Sequence, residues 1–324
     1  MTQRVLVLGG SGYVGRHVAR ALAAARVGPV VAAARRPPQT SPGIGSVALD
    51  ATNAERLAAA IRDVDWVVNC VSGDAATLRA SADALARAVA GAPLPPGVVH
   101  LSSMAVYGSA EGMVDERTLP VGRLGDYAAA KLGAERALAD MPRRVILRPG
   151  CIHGRGSPQW SLRIADLLRS GRIGDLGSAG EGRCNLVHID DVSAAVVAAI
   201  GTPEAIGGSF NLAIPDPPTW NGYFAIYARA LGLSPAPVPG YRLRLEAIAA
   251  PLRVAGQGMR RRAGVGASTE SAAPIPPSLL RLWRQAIVLD SRRAEDVLRI
   301  AWIPLEQGVA ASADGSDLRE CAAG

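Results

Sequence analysis

The sequence contains a single lysine and few aromatic residues. Of its 35 basic residues 34 are arginine, and Phe, Trp and Tyr together make up 4% of the 324 residues. The formal net charge is +7, but the positive charges are spread along the chain. Because few aromatic side chains are available to stack on bases, we do not expect a nucleic-acid partner. A negatively charged cofactor is a sufficient partner for the surplus positive charge.

Long apolar runs and paired cysteines are also missing. No apolar run reaches the roughly 18 to 20 residues of a membrane span, since Arg, Pro or Gly interrupts each candidate. A strand is predicted almost at the first residue, which leaves no room for a signal peptide. The cysteines have no C-x-x-C or histidine partner at metal spacing, and they are Cys70, Cys151, Cys184 and Cys321. We therefore expect a cytoplasmic protein with no membrane span, no disulfide and no bound metal.

Short β-branched runs alternate with alanine-rich stretches through the first two thirds of the chain. They predict strands at 4–8, 29–34, 46–49, 64–70, 97–101 and 144–148, with helices between several of them. Continuously apolar strands in βαβ alternation indicate a parallel sheet that is covered on both faces. The predicted fold is therefore α/β, with a doubly wound parallel (Rossmann) sheet and a smaller C-terminal substrate-binding part.

The pattern becomes richer in glycine and proline after about residue 150. We expect a dinucleotide-binding domain over 1–200, with a substrate-loop insertion near 152–185, and a smaller substrate-binding part over 201–324. A helix is predicted to open at Asp190–Asp191, because carboxylates favour the positive end of the helix dipole.

Two stretches of the C-terminal part have a distinct composition. Residues 255–277 are rich in Gly, Ala, Ser, Pro and Arg, which predicts a mobile segment. The stretch Tyr241–Val254 has the pattern of an amphipathic helix, with Leu243, Leu245, Ile248 and Leu252 on one side. It is interpreted as a solvated helix over the substrate cleft or as a helix on a membrane surface.

A glycine-rich segment follows the first predicted strand and opens the first predicted helix. Its candidate cofactor-binding residues are Gly9, Ser11, Gly12, Tyr13, Val14 and Gly15. Glycine permits a tight turn and close approach of the backbone, and free N–H groups at a helix start bind a pyrophosphate. The alternative is a tight strand-to-helix connection without a ligand.

Arg35 and Arg36 stand about 20 residues after this loop, where an NAD enzyme commonly has an acidic residue. A carboxylate there repels a 2′-phosphate, whereas arginine binds one with charge-assisted hydrogen bonds. NADP(H) is therefore preferred and NAD(H) remains possible. The alternative is a solvated turn before Pro37–Pro38.

Tyr127 and the only lysine, Lys131, are four residues apart in a predicted helix and so share one face. A lysine placed at random would fall four residues after a tyrosine in about 2% of cases, so the spacing favours a shared role. A tyrosine pKa near 10 must fall by roughly three units for acid/base work near neutrality, and a close ammonium can lower it. The alternative is a surface Tyr–Lys pair.

Ser103 follows the fifth predicted strand, at the carboxyl edge where open α/β sheets bind ligands. Its hydroxyl can hydrogen-bond a carbonyl oxygen that gains or loses charge as hydride moves. Serines after a strand also often only satisfy the backbone of a turn.

Together these segments resemble the extended branch of the short-chain dehydrogenase/reductase superfamily, including the NAD-dependent epimerase/dehydratase family. The matching motifs are the glycine loop, Asp50, Ser102–Gly108, Tyr127 with Lys131, Arg148–Gly150, Val187–Val192, Asp290–Ser291 and Ala301–Pro304.

The resemblance implies a catalytic set of Ser103, Tyr127 and Lys131, with Lys131 also contacting the cofactor. It further implies cofactor contacts from residues that follow the strands, namely Asp50 at the adenine, Ala51, Val71 and Pro149 near the nicotinamide. His188 and Asp191 resemble a structural motif, and His153 lines the pocket or only packs. Relatives commonly form a homodimer through helices that include the one bearing Tyr127.

Cys151 stands where sugar-nucleotide epimerases usually have asparagine, and Arg148–Gly150 with Gly154–Gly156 is more similar to branches that reduce ketones or oxidise alcohols. The expected activity is hydride transfer between NADP(H) and a small-molecule carbonyl/alcohol pair. The alternatives are a nucleotide-sugar epimerase or dehydratase that retains its cofactor, and a non-catalytic cofactor-binding sensor or assembly subunit.

Overall fold

The computed structural model describes residues 3–37, 41–122, 125–243, 245–246 and 275–313 as an α/β structure. Its strands are β1 (Val5–Leu8), β2 (Val30–Ala34), β3 (Ile44–Ala48), β4 (Trp66–Asn69), β5 (Gly97–Leu101), β6 (Gly112–Val114), β7 (Arg144–Pro149), β8 (Cys151–His153), β9 (Leu186–His188), β10 (Ser209–Leu212) and β11 (Ile287–Leu289). Its helices are α1 (Tyr13–Ala24), α2 (Ala54–Ala60), α3 (Ala75–Ala90), α4 (Asp126–Ala137), α5 (Arg163–Arg169), α6 (Ile189–Gly201), α7 (Trp220–Ala230), α8 (Pro277–Leu282), α9 (Arg292–Leu298) and α10 (Leu305–Ala313).

One parallel sheet organises these elements. Its strands lie in the order β10-β7-β5-β4-β1-β2-β3, and two further strand pairs, β6 with β11 and β8 with β9, lie outside it. The order reverses between β1 and β4, because the chain runs outward from β1 to β3 and then returns. The carboxyl ends of β1 and β4 therefore border the crevice in which doubly wound sheets bind ligands. The predicted doubly wound Rossmann sheet is confirmed.

Apolar clusters cover both faces of the sheet. In β1, Val5 and Val7 pack on one face with α1 and α6, whereas Leu6 and Leu8 pack on the other face with α2 and α3. Successive side chains of a strand alternate between faces, so a strand that is buried on both faces has a continuous apolar sequence. Each of the six predicted strands overlaps a strand of this sheet, and this reason holds for all of them except the edge strand β3, which is mostly exposed.

The seventh strand, β10, was missed because its sequence is partly polar. Asn211 is buried in β10, where its Oδ1 accepts a hydrogen bond from the Tyr107 hydroxyl at 2.7 Å. Its backbone N–H donates to Glu116 Oε1 at 2.7 Å, so the strand is held by side chains from outside the sheet. β10 comes after residue 200, and the sheet therefore takes chain from both sides of the boundary expected there.

A second apolar core lies beside the sheet and combines α5, α7 and α8. The rings of Trp220 and Phe224 both pack on Trp283, with centroids 6.3 Å and 5.4 Å away. Residues of the expected insertion near 152–185, such as Ile164, belong to this core. That segment and the C-terminal helices therefore bury their apolar side chains together.

The helix predicted over Tyr241–Val254 is described only in part. Residues 240–243 and 245–246 are helical, and the remainder lies outside the described residues. Leu243 is buried in the second core, whereas Leu245 is 60% exposed, so the expectation that they share a face was wrong. Residues two apart in a helix are separated by about 200° around its axis. No helix in the described ranges is both long and apolar enough to cross a membrane.

Most of the segment predicted to be mobile, 255–277, also lies outside the described residues. Its last three residues are described, and of these Ile275 is buried and Pro277 begins α8. Pro at the first position of a helix is favourable because its missing N–H has no partner to lose there.

The helix predicted to open at Asp190–Asp191 is confirmed as α6. His188 caps it, since its Nδ1 accepts a hydrogen bond from the backbone N–H of Asp190 at 3.3 Å. The backbone N–H of Ile303 donates to the buried carboxylate of Asp191 at 3.2 and 3.3 Å. The motifs Val187–Val192 and Ala301–Pro304 are therefore in contact, and this contact joins the C-terminal segment to the sheet domain.

Burial raises the pKa of Asp191 to about 6. Between about pH 4 and pH 6 the folded protein keeps a proton that the unfolded chain has released, so the free energy of unfolding falls as pH rises through this window. Asp191→Asn keeps an acceptor for Ile303. We expect its free energy of unfolding, relative to that of wild type, to increase by about 1 to 3 kcal/mol from pH 4 to pH 7. Urea unfolding at several pH values measures the difference. The free energy of unfolding of the exposed control Asp296→Asn should depend on pH as that of wild type does. If Asp191→Asn also showed the wild-type pH dependence, the expectation would be contradicted.

Candidate active site at the carboxyl edge of the sheet

The turn between β1 and α1 brings backbone close to backbone. Gly9 has φ +75°, and a Cβ there would lie 2.7 Å from the carbonyl oxygen of Cys70. A Cβ at Gly15 would overlap the carbonyl oxygen of Gly9, so both positions require glycine. Gly12 precedes α1, and no side chain of the described residues caps the helix or places an acid in its first turn. The first N–H groups of α1, next to Ser11, are therefore suited to an anion.

The carboxyl ends of β2 and β3 carry the next group of predicted residues. Arg35 and Arg36 follow β2 and are exposed. Asp50 follows β3, and its Oδ1 accepts hydrogen bonds from Thr52 N at 3.0 Å and Thr52 Oγ1 at 2.8 Å. These bonds, together with a smaller effect of the Arg35 charge, hold the pKa of Asp50 below its usual range.

Ser103 and Tyr127 meet at the end of β5. Ser103 begins the short helical turn Met104–Tyr107, and its Oγ accepts a hydrogen bond from the N–H of Ala105 at 3.2 Å. Its side chain also lies near the phenol of Tyr127. Tyr127 is 50% exposed. Its partial burial raises the pKa of its phenol, and the nearby Ser103 hydroxyl acts on that pKa in the opposite direction.

Lys131 lies one helical turn after Tyr127 and is 5% exposed. Its Nζ donates to the carbonyl oxygen of Leu101 at 2.7 Å. Burial lowers the pKa of Lys131 to about 8, and the nearby Cys70 and Glu135 act in the opposite direction. The sequence predicts that this ammonium lowers the pKa of Tyr127. In the structure the ammonium binds the carbonyl oxygen of Leu101 instead, and the pKa of the phenol is raised.

A cleft of about 980 Å³ opens over Tyr127. The predicted residues that line it are Tyr13, Val14, Ser103, Tyr127 and Pro149. The other predicted residues lie outside its lining: Lys131 is buried beneath Tyr127, and Asp50, Ala51 and Val71 follow β3 and β4 at the same edge of the sheet. The predicted residues therefore fall into two groups: those that line the cleft with Tyr127, and those that lie along the carboxyl edge of the sheet toward Arg35.

Other residues of the cleft lining were not named from the sequence. They include apolar side chains and two exposed arginines, namely Met104, Ile152, Trp160, Leu279, Leu282, Arg281 and Arg284. Most of them come from chain beyond residue 150 and reach the cleft through the packing of α8 on the second core. No local pattern in the sequence indicates that packing.

Cys151 and His153 differ in their relation to the cleft. Cys151 lines it, and burial raises the pKa of its thiol well above the usual range, so the thiol is neutral. His153 is fully buried, its ring lies 5.2 Å from the ring of His188, and burial lowers its pKa to about 3. His153 thus packs as a neutral ring. No group of three His, Cys, Asp or Glu side chains that could hold a metal occurs among the described residues.

A buried ion pair behind the cleft was also missed. Arg148 of β7 donates from Nε and Nη2 to the two carboxylate oxygens of Glu135, at 3.0 and 2.7 Å. Burial opposes the charge of Arg148, but the bonds and charge of Glu135 outweigh it and raise the arginine's pKa. The available signal was the spacing, because Glu135 follows Lys131 by the same four residues that separate Lys131 from Tyr127.

The sequence is similar to those of known proteins. The sequence pattern of the NAD dependent epimerase/dehydratase family matches residues 5–213. A 2′-dehydrokanamycin reductase of Streptomyces kanamyceticus is 33% identical over 258 residues, which are 74% of this chain and 70% of that protein. A dTDP-6-deoxy-L-talose 4-dehydrogenase (NAD(P)(+)) of Kitasatospora kifunensis is 33% identical over 177 residues, 49% of this chain and 55% of that protein.

Solved structures share the fold. A putative epimerase from Burkholderia cenocepacia J2315 has a TM-score of 0.72 and 21% identity, with 97% of both chains covered. The human epimerase family protein SDR39U1, solved with NADPH, has a TM-score of 0.71 and 21% identity, with 96% of this chain and 99% of that chain covered. With the glycine turn, the Rossmann sheet and the matched residues, the chain belongs to the NAD-dependent epimerase/dehydratase family of extended short-chain dehydrogenase/reductase enzymes.

Proposed function

We propose that this enzyme is an NADP(H)-dependent oxidoreductase that interconverts a carbonyl and an alcohol, with Tyr127 as the general acid/base. The observation that carries the proposal is that Ser103 and Tyr127 line the same large cleft, beside the start of α1, where no side chain of the described residues caps the helix. The 33% identical relative, a reductase by name, supports the same reaction class.

The residues at the sheet edge fit a nicotinamide dinucleotide. Its pyrophosphate would bind the turn of Gly9, Ser11, Gly12 and Gly15, and the adenosine end would bind near Arg35, Arg36, Asp50, Ala51 and Val71, while Lys131 and Pro149 would hold the nicotinamide end. When bound, this group supplies or accepts the hydride.

The remaining chemistry belongs to the side chains of the cleft. Ser103 donates a hydrogen bond to the substrate oxygen and keeps it next to Tyr127. Tyr127 gives its proton to that oxygen during reduction and removes it during oxidation. The phenol is protonated near neutral pH, which is the form that reduction needs, and burial raises its pKa further.

Specificity for NADP(H) is attributed to Arg35. Its charge acts on Asp50 and on Asp74, so it lies where the carboxyl ends of β2 and β3 meet the start of α3. A 2′-phosphate at that corner would be held by charge-assisted hydrogen bonds.

A second candidate is a nucleotide-sugar epimerase or dehydratase. The observation in its favour is the pair Arg281 and Arg284 in the cleft wall, since arginines suit a diphosphate. The UDP-glucuronic acid 4-epimerase from Bacillus cereus, solved with UDP-glucuronic acid and NAD, shares the fold at a TM-score of 0.68 and 18% identity. Such an enzyme retains its cofactor and consumes no net NADPH. In either case we propose a homodimer that includes α4 in its interface.

The acid/base role is tested with Tyr127→Phe. We expect the rate of NADPH-dependent reduction to fall by a factor of about 10² to 10⁴, because the proton donor is lost, while the Kd of NADPH changes little. The assay follows NADPH consumption with a panel of ketones and aldehydes, and calorimetry gives the Kd. Tyr241→Phe, at an exposed tyrosine outside the cleft lining, is the matched control. A Tyr127→Phe enzyme with wild-type rates would exclude this role.

The cofactor assignment is tested with Arg35→Ala. We expect the Kd of NADP(H) to rise by roughly 10- to 100-fold with little change for NAD(H), since hydrogen bonds to a charged group contribute about 1.5 to 3 kcal/mol. Arg62→Ala, an exposed arginine elsewhere on the sheet domain, is the control. Purified protein that retains NAD and is indifferent to the Arg35 change would refute the NADP(H) assignment and favour epimerisation.

A further inference from the structure

Two buried charges of α4 hold the chain that leads to Ser103. Lys131 donates to the carbonyl oxygen of Leu101 at 2.7 Å, and the carboxylate of Glu135 accepts a hydrogen bond from Ser102 Oγ at 2.5 Å. Lys131 and Glu135 are four residues apart and share one face of the helix. That face therefore binds two consecutive residues immediately before Ser103.

Arg148 binds the chain that follows Ser103. Besides its two bonds to Glu135, it donates from Nη1 to the hydroxyl of Tyr107 at 3.0 Å. Tyr107 is the last residue of the helical turn that begins after Ser103. Ser103 therefore lies between two points, Ser102 and Tyr107, that are both tied to the same ion pair.

The position of the pair indicates what it contributes. The side chains of Glu135 and Arg148 are each 7% exposed, and neither lines the cleft. A buried ion pair is weak evidence for stability, because apolar side chains of similar size often replace it without loss. A displacement of about 1 Å at reacting groups, by contrast, lowers a rate by about 100-fold.

We propose that the Glu135–Arg148 ion pair is a positioning element of the active site, which holds Ser103 beside Tyr127 and is not required for the fold. Glu135 sits on the helix that bears Tyr127 and binds Ser102, while Arg148 binds Tyr107, so the pair ties that helix to the chain on both sides of Ser103. The expected effect of the ion pair on kcat rests on the proposed function, but its expected effect on the position of Ser103 does not.

The central test is the double variant Glu135→Leu with Arg148→Met, which removes both charges together. We expect a folded protein with a lower thermal midpoint, because Lys131 loses the carboxylate that offsets its burial, and a kcat for NADPH-dependent reduction that is about 10- to 100-fold lower, with KM and the Kd of NADPH little changed. Arg172→Met with Glu246→Leu is the matched control, because that pair is also joined through Nε and Nη2 and lies outside the cleft lining. It should keep the wild-type kcat. A wild-type kcat in the Glu135/Arg148 variant would overturn the proposal.

Crystal structures give a readout that does not depend on turnover. In the double variant we expect Ser103 Oγ to move by on the order of 1 Å relative to Tyr127, whereas an unmoved Ser103 would refute the positioning role. If wild type reduces no compound of the panel, the proposed function fails, and the structures still decide this question.

Ser102→Ala serves as a second variant should the double variant not fold. It keeps the ion pair and removes only the link from Glu135 to the chain before Ser103. A lower kcat, or a displaced Ser103 in its crystal structure, is expected. An unchanged kcat with an unmoved Ser103 would again refute the proposal.

Discussion

The hydrogen bond from the Lys131 ammonium to the carbonyl oxygen of Leu101 joins the two elements on which the active site depends. It fixes the only lysine of the chain against the carboxyl end of β5, where the chain leaves the sheet and reaches Ser103. Burial of this ammonium has a cost, which is visible in a pKa lowered to about 8. Glu135 offsets part of that cost, since its carboxylate lies one turn further along the same helix.

This contact explains why the chain has a lysine at residue 131 and arginine at its other basic positions. Arginine occupies every basic position except residue 131, where the side chain is 5% exposed and reaches one carbonyl oxygen. A compact ammonium can be buried at the end of a strand, whereas a planar guanidinium presents five donors that all need partners. Arg148 is buried as well, but Glu135 and Tyr107 together supply partners for three of its nitrogens. The two cations are therefore not interchangeable.

The sheet and the glycine turn could be predicted from the sequence because their signals are local. Most of the strands are buried on both faces and have continuous apolar runs, and Gly15 is required by a contact with Gly9 inside the turn. Gly9 itself is required by the backbone of Cys70, after β4. β10 could not be predicted in this way, since its Asn211 is accepted only because Tyr107 and Glu116 reach it from distant parts of the chain. The wall formed by α8 was missed for the same reason.

The direction of the Tyr127 pKa shift was also beyond a sequence argument, and it changes how the site is understood. The i, i+4 spacing correctly places tyrosine and lysine on one helix face, but it does not say which atoms the lysine contacts. In the structure the ammonium holds Leu101, while partial burial raises the pKa of Tyr127. A phenol that keeps its proton is a ready acid toward a carbonyl and a poor base toward an alcohol. On the proposed function, the same helix has two tasks: its exposed first turn presents the proton of Tyr127, and Lys131 and Glu135 in its buried later turns bind the chain before Ser103.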